Sequence, residues 1–173
     1  MGDARRALFL HKRAYDLAGT ESIFVRAVRD NAAHHRDHCP FYRDLLTRRS
    51  FDLDSVKTVA DCVRLPVIPA SFFKYHVALS MSPADSHIYA TSSGTQGQKT
   101  QMYFDRTTLR MGVKMVTRVL HYHGFISPWP VHYIMLGYEP SEGNPMGSAQ
   151  TAMGITRFAP ALRRTFVLRH TPS

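Results

Sequence analysis

Apolar positions along the chain recur at helical spacing in two long stretches and cluster at strand length in three shorter ones. Phe24, Ala27, Val28 and Ala32 fall three and four apart, which predicts a helix with one apolar face. Thr20 is its expected N-cap, with Glu21 in the first turn against the positive helix end. Pro40 should stop it. Residues 41–46 and 55–63 read as two further short helices or turns. Residues 65–69, Leu-Pro-Val-Ile-Pro, must run extended, because each proline pushes its predecessor out of the helical region. Residues 71–74 add one helical turn.

Farther along, Leu109, Val113, Val116 and Leu120 share a face of a helix expected from Arg106 to about Tyr122. Asp105 is its N-cap, Gly112 a place for close packing and Gly124 the residue just past its end. Residues 127–130, Ser-Pro-Trp-Pro, form a loop. Residues 131–137 make an apolar run of strand length, which suits a buried parallel strand. Residues 139–154 are rich in Gly, Pro and Ser and read as a long functional loop. Helix and strand after a hairpin predict an α/β layered domain. The basic, partly amphipathic segment 1–19 is expected as a loosely attached arm, with the α/β domain over residues 20–173.

Composition narrows the class. The 173 residues suffice for one domain with a real core, and 44% hydrophobic with 20% charged residues is globular. No apolar run approaches the roughly 20 residues that span a bilayer. The N-terminus lacks the apolar stretch of a secretion signal and the hydroxyl residue a myristoylation site requires. Cys39 and Cys62 are too few for a disulfide framework. A cytoplasmic location with no membrane partner is the default. The 22 Lys and Arg against 13 Asp and Glu leave a formal charge of +9. That favours anionic partners, among them ATP, an acidic carrier protein or nucleic acid. The basic residues are scattered in pairs, such as Arg48-Arg49 and Arg163-Arg164. A dispersed pattern of this kind fits a solvated surface better than a nucleic-acid site.

The densest chemistry lies between two β-prone segments. Residues 92–100 read Ser92, Ser93, Gly94, Thr95, Gln96, Gly97, Gln98, Lys99, Thr100. Two glycines allow close backbone approach, and consecutive N–H groups in such a turn form an anion-binding concavity. Ser92, Ser93, Thr95 and Thr100 add hydroxyl donors, and Lys99 adds a compact positive charge. The set suits a polyphosphate. The glycines are too close together for a P-loop, and the three-glycine dinucleotide fingerprint is missing. A strand–loop–strand cradle is the expected form, against the plain alternative of a hairpin with a polar tip.

The loop resembles the phosphate loop of adenylate-forming enzymes, Ser/Thr-Ser-Gly-Thr-Thr-Gly-x-Pro-Lys. Residues 92–97 match at every place but Gln96, the proline is missing, and Lys99 sits one position early. His38-Cys39-Pro40-Phe41-Tyr42, the Leu65 to Pro69 segment and Phe73-Lys74 resemble the N-terminal region of the phenylacetate–CoA ligase and acyl-protein synthetase branch. Phe73-Lys74 ahead of residues 91–95 is closer to acyl-protein synthetase, the long-chain fatty-acid-activating component of bacterial bioluminescence systems. The likeness extends from about Phe24 to about Leu168. It implies the N-terminal portion of an acyl-CoA synthetase-like large domain. It also implies ATP-dependent conversion of a carboxylic acid, fatty in this branch, to an acyl-adenylate for transfer to a thiol, with Mg2+ on the phosphates.

In that reading Ser92, Ser93, Gly94, Thr95, Gln96, Gly97 and Lys99 hold the phosphates. Thr95 and Lys99 further stabilise the departing pyrophosphate. The family's ribose-binding acid, aromatic-Gly-x-Thr-Glu segment and cap lysine have no match in these residues. The resemblance therefore implies a piece that is incomplete alone, completed by a C-terminal partner or presented with an acyl-accepting protein. The alternatives from other classes are a non-catalytic nucleotide-binding module and a basic nucleic-acid-binding domain.

Other constellations carry less. His34, His38 and Cys39 are zinc-compatible ligand types on one helix face, but a fourth ligand is not evident. The same histidines suit the negative end of a helix. The resemblance places the family's transfer thiol near its far C-terminus, so it gives Cys39 no support. His121, His123 and His132 lack a carboxylate partner by sequence and read as capping or core residues. Tyr138 and Glu139 follow a strand, where α/β proteins gather ligands, and are substrate-pocket candidates.

Overall fold

The computed structural model describes residues 3–91, 100–140 and 147–168. The N-terminal half is helical: α1 (Asp3–Phe9), α2 (Leu17–His38), α3 (Pro40–Arg48), α4 (Val59–Cys62) and α5 (Phe72–Tyr75). An antiparallel pair follows, β1 (Ile88–Thr91) and β2 (Gln101–Phe104), then α6 (Arg106–Tyr122). The remainder is β3 (Val131–Tyr138), α7 (Gly147–Ile155) and β4 (Ala161–Leu168), with β3 and β4 paired in parallel. Parallel neighbours need a crossover, and α7 lies in it and packs on β3. The fold is α/β, as expected.

α2 starts earlier than its apolar spacing indicates. Asp16, not Thr20, is the N-cap, its carboxylate accepting from the Gly19 N–H at 2.9 Å. A carboxylate is both a good acceptor and a favourable charge at that end. The helix stops at His38, and Pro40 then opens α3, where its missing N–H leaves no bond unmade. The inward face of α2 also differs from expectation. Ala27 and Ala32 are buried, but Val25 takes the place assigned to Phe24, which stays exposed. Ala32 packs with Leu46 of α3 and Leu53, flanked by Ala33, Tyr42, Phe51 and Leu65. Burying Leu46 and Leu53 is worth about 1.5–3 kcal/mol each. An Arg29–Asp54 ion pair ties α2 to the 3-10 turn that carries Leu53.

The helix expected over residues 55–63 is divided between that turn, ending at Ser55, and α4. Thr58 and Asp61 form a reciprocal capping box on α4. Bonds from the Lys57 N–H, then the Thr58 hydroxyl and N–H, hold the Asp61 carboxyl below the usual range. α6 has the predicted limits. The Asp105 carboxylate accepts from the Thr108 N–H at 2.6 Å. At the other end Gly124, at φ +73°, lets its own N–H reach His121 O and the Phe125 N–H reach Leu120 O at 2.8 Å. That pattern is a Schellman closure, which a side chain at Gly124 would strain.

The expected loop over 139–154 is in part a helix, since α7 begins at Gly147. β4 has no counterpart among the expected strands. In the segment joining α7 to β4, the buried Thr156 hydroxyl donates to Met153 O at 2.8 Å and accepts from Arg164 Nε at 2.9 Å. The Tyr133 hydroxyl accepts from the Ala159 N–H at 3.0 Å. These bonds seat the crossover on the sheet.

Candidate functional site

Residues 92–99 lie outside the described residues, and with them the expected roles of Ser92, Ser93, Gly94, Thr95, Gln96, Gly97 and Lys99. Their frame is described. Ile88 pairs with Phe104, Tyr89 with Tyr103, Ala90 with Met102 and Thr91 with Gln101. The His87 N–H extends the ladder to Phe104 O at 2.8 Å. The segment is therefore bracketed by two antiparallel strands in fixed register, the flanks expected from its sequence. Asp105 follows β2 directly, so the hairpin leads straight into the N-terminus of α6.

The motifs upstream converge on a second feature. The Phe41 ring, at the start of α3, stacks on Phe72 of α5 with centroids 4.4 Å apart, and Phe72 meets Phe73 edge-on at 5.4 Å. Beneath them is a pocket of about 490 Å³, walled by α1, α2, α3 and residues 65–80, which include α5. Cys39, Phe41, Tyr42, Leu65, Ile68 and Phe73 all line it. Two sequence motifs more than twenty positions apart thus build one cavity. The His35 Nδ1 and Ser80 hydroxyl are 2.6 Å apart at its edge. Burial is the main cause of a lowered His35 pKa and raises that of the Tyr42 phenol.

Residues 7–163 match the acyl-protein synthetase family, LuxE. The chain belongs to the LuxE acyl-protein synthetase family. It is also 36% identical, over 93 residues, to a long-chain-fatty-acid–luciferin-component ligase of Photorhabdus luminescens. That match takes in 54% of this chain and 75% of the relative. The family span includes the hairpin, the pocket motifs and the first part of β4.

Within this member of the acyl-protein synthetase family the remaining candidates separate. Tyr138 ends β3, and the Glu139 N–H donates to Leu168 O at 2.9 Å, so both lie at the carboxyl end of the parallel pair. His34 and His38 stack with centroids 4.3 Å apart, and His38 Nδ1–H donates to His34 O at 2.8 Å. Burial, then the neighbouring His38 and Arg5, lower the His34 pKa. Cys39 is buried at the helix junction, and Cys62 is a second free thiol. Among the described residues no group of three His, Cys, Asp or Glu could hold a metal ion, and no helix is long and apolar enough to cross a membrane. His123 Nε2, at the C-terminal end of α6, lies 3.1 Å from the Tyr15 hydroxyl.

Sequence reasoning missed Arg5 and Asn31. Read as a loose basic arm, the 1–19 segment was not expected to place Arg5 against α2. There Nη1 donates to Asn31 Oδ1 at 3.2 Å. The helical spacing of Leu8 and Phe9 after Arg5 was the available signal.

Proposed function

We propose that this chain supplies the phosphate-binding part of an ATP-dependent fatty-acid activation, as a member of the adenylate-forming enzymes. The observation that carries the reading is the antiparallel bracket of residues 92–99 within a member of the acyl-protein synthetase family. The long-chain fatty-acid ligase among its relatives supports a fatty substrate. In the reaction, a carboxylate oxygen forms a bond to the α-phosphorus of ATP while that phosphorus releases the bridging oxygen of pyrophosphate. The sulfur of a thiol then bonds to the acyl carbon as the bond to the phosphate oxygen breaks, releasing AMP and the thiol proton. No side chain need act as nucleophile.

The donor chemistry of the loop fits ATP. Its backbone N–H groups, the Ser92, Ser93 and Thr95 hydroxyls and Lys99 would hold the β- and γ-phosphates and meet the charge of the leaving pyrophosphate. Magnesium is commonly held largely by substrate phosphates and water, so a dedicated protein cage is not required. It would neutralise phosphate charge. Tyr138 and Glu139, at the strand ends, would contact substrate.

The reading includes incompleteness. A parallel sheet is ordinarily covered on both faces. Here Ile134 and Leu136 of β3 are 70% and 88% exposed, and Leu162 of β4 is 67% exposed. A complementary C-terminal segment or subunit would cover that face and set the near-attack geometry that adenylation needs. The test is acid-dependent exchange of labelled pyrophosphate into ATP. Exchange should be at background for the chain alone and appear when a complementary segment is added. Gly94→Val should abolish Mg-ATP binding, because a branched side chain blocks backbone approach. Unchanged nucleotide binding in that folded variant would remove the loop from the account. ATP binding without exchange in the completed assembly would indicate a non-catalytic module instead.

A further inference from the structure

From residue 106 to residue 138 the chain has no Asp or Glu. α6 occupies the start of that stretch, and Arg106, Arg110, Lys114 and Arg118 fall on it at intervals of four. Residues so spaced form one row along a helix surface, here about 18 Å long. Like charges at that spacing repel and weaken a helix, and the dipole offsets this only in the last turn. Among the described residues none of the four forms an ion pair. Arg118 donates to Phe9 O, while Arg106, Arg110 and Lys114 are exposed. The row continues into Tyr122. There Arg118, His121 and Tyr122 line a cleft of about 500 Å³ together with Lys12 and Arg13. Beyond it the chain turns at Gly124 and leaves large rings in water: Tyr122 is 61% exposed, Phe125 68% and Trp129 76%. Trp129 stands between Pro128 and Pro130, and its N–H donates to the Ser127 hydroxyl at 3.0 Å, so its backbone is constrained.

Six basic side chains without a carboxylate, followed by exposed aromatics, call for a partner that is both negative and apolar. A nucleic-acid duplex would answer the cations and offer nothing to Phe125. A folded protein would have to place a carboxylate opposite each long, unpaired side chain. A fluid sheet of anionic headgroups needs no such register, and Trp and Phe settle in the layer just beneath it. Four or more Lys and Arg on an amphipathic helix are the usual footprint of that contact. We propose that α6, with Lys12, Arg13 and the loop carrying Phe125 and Trp129, docks on an anionic lipid bilayer. The basic residues lie on the headgroups and the two rings enter the interfacial layer. A surface contact needs no spanning segment, so the membrane-free default drawn from apolar run length does not bear on it. The surface uses neither ATP nor residues 92–99.

The experiment is titration of the purified chain with vesicles of one part phosphatidylglycerol to two parts phosphatidylcholine, and with vesicles of phosphatidylcholine alone. Trp129 is the one tryptophan of the chain, so its emission reports this loop directly. It should shift to shorter wavelength with the anionic vesicles only, and brominated lipid should quench it. Binding should weaken as salt is raised. Arg110→Gln with Lys114→Gln should weaken it by about tenfold or more, since each basic residue near an anionic surface contributes a several-fold factor. Both positions are exposed and the change removes like-charge pairs, so Tm should not fall. Phe125→Ser should weaken binding while leaving its salt dependence in place. Equal binding to neutral vesicles, an unshifted Trp129 on bound anionic vesicles, or affinity indifferent to the Arg110 and Lys114 changes would overturn the proposal. So would tighter binding to a single-stranded oligonucleotide, with the same Trp129 shift, than to the anionic vesicles, since the surface would then be a nucleic-acid site.

Discussion

His35 carries a load that its neighbours impose. It is partly buried on α2, bonded to Ser80, and close to His34, Arg5 and His38, all of which disfavour a second positive charge. Its folded pKa is therefore below the unfolded value of 6.5, chiefly through burial. Above that value both states hold a neutral ring and pH has no effect through this group. As pH falls through the unfolded pKa, the unfolded chain gains a proton that the native chain refuses. Stability then drops until the folded pKa is passed. His34 acts in the same direction. Thermal unfolding should show Tm falling as pH drops through the unfolded value of 6.5, and His35→Gln should flatten part of that slope by removing one titrating group. An identical slope in the variant would show that the ring does not carry the effect.

At the scale of elements, α6 is the clearest case of local encoding. Asp105, the Leu109 to Leu120 spacing and Gly124 specify its start, face and stop, and all three signals lie in the helix or close to its ends. Asp105→Ala removes the acceptor for the Thr108 N–H and should destabilise the chain by about 1 kcal/mol, lowering Tm by roughly 2–4 °C in calorimetry. The hairpin flanks of residues 92–99 and the length of β3 were legible for the same reason. α2 was legible in part, because Asp16 competes with Thr20 as a cap and Phe24 with Val25 for the core, and sequence spacing alone cannot choose. β4 and α7 were hidden. Residues 161–168 carry two arginines and a threonine in the middle of the strand, and Arg164 there donates to the Thr156 hydroxyl and carbonyl. The pocket was hidden more deeply, since its walls come from α1, α2, α3 and residues 65–80 and no local pattern joins them.

For the whole molecule, the exposed apolar residues Ile134 and Leu136 of β3 set behaviour in solution. Exposed apolar patches of this kind favour association. Sedimentation velocity should show concentration-dependent self-association, and Leu136→Lys should shift the population toward monomer without loss of helical signal. A monomer at all concentrations in the parent chain would show that the face is tolerated in water. The link between the N-terminal segment and α6 has a different consequence, one of time rather than of equilibrium. Arg118 donates to Phe9 O at 2.7 Å, and Tyr15 meets His123 and the Tyr122 ring, the first two contacts spanning 109 and 108 residues. Closing so long a loop is entropically expensive, and its contacts form only after the closure. This seam should therefore be among the last to assemble. Tyr15→Phe, which removes the hydroxyl from His123, should speed unfolding in stopped-flow chevrons and leave the folding rate nearly unchanged.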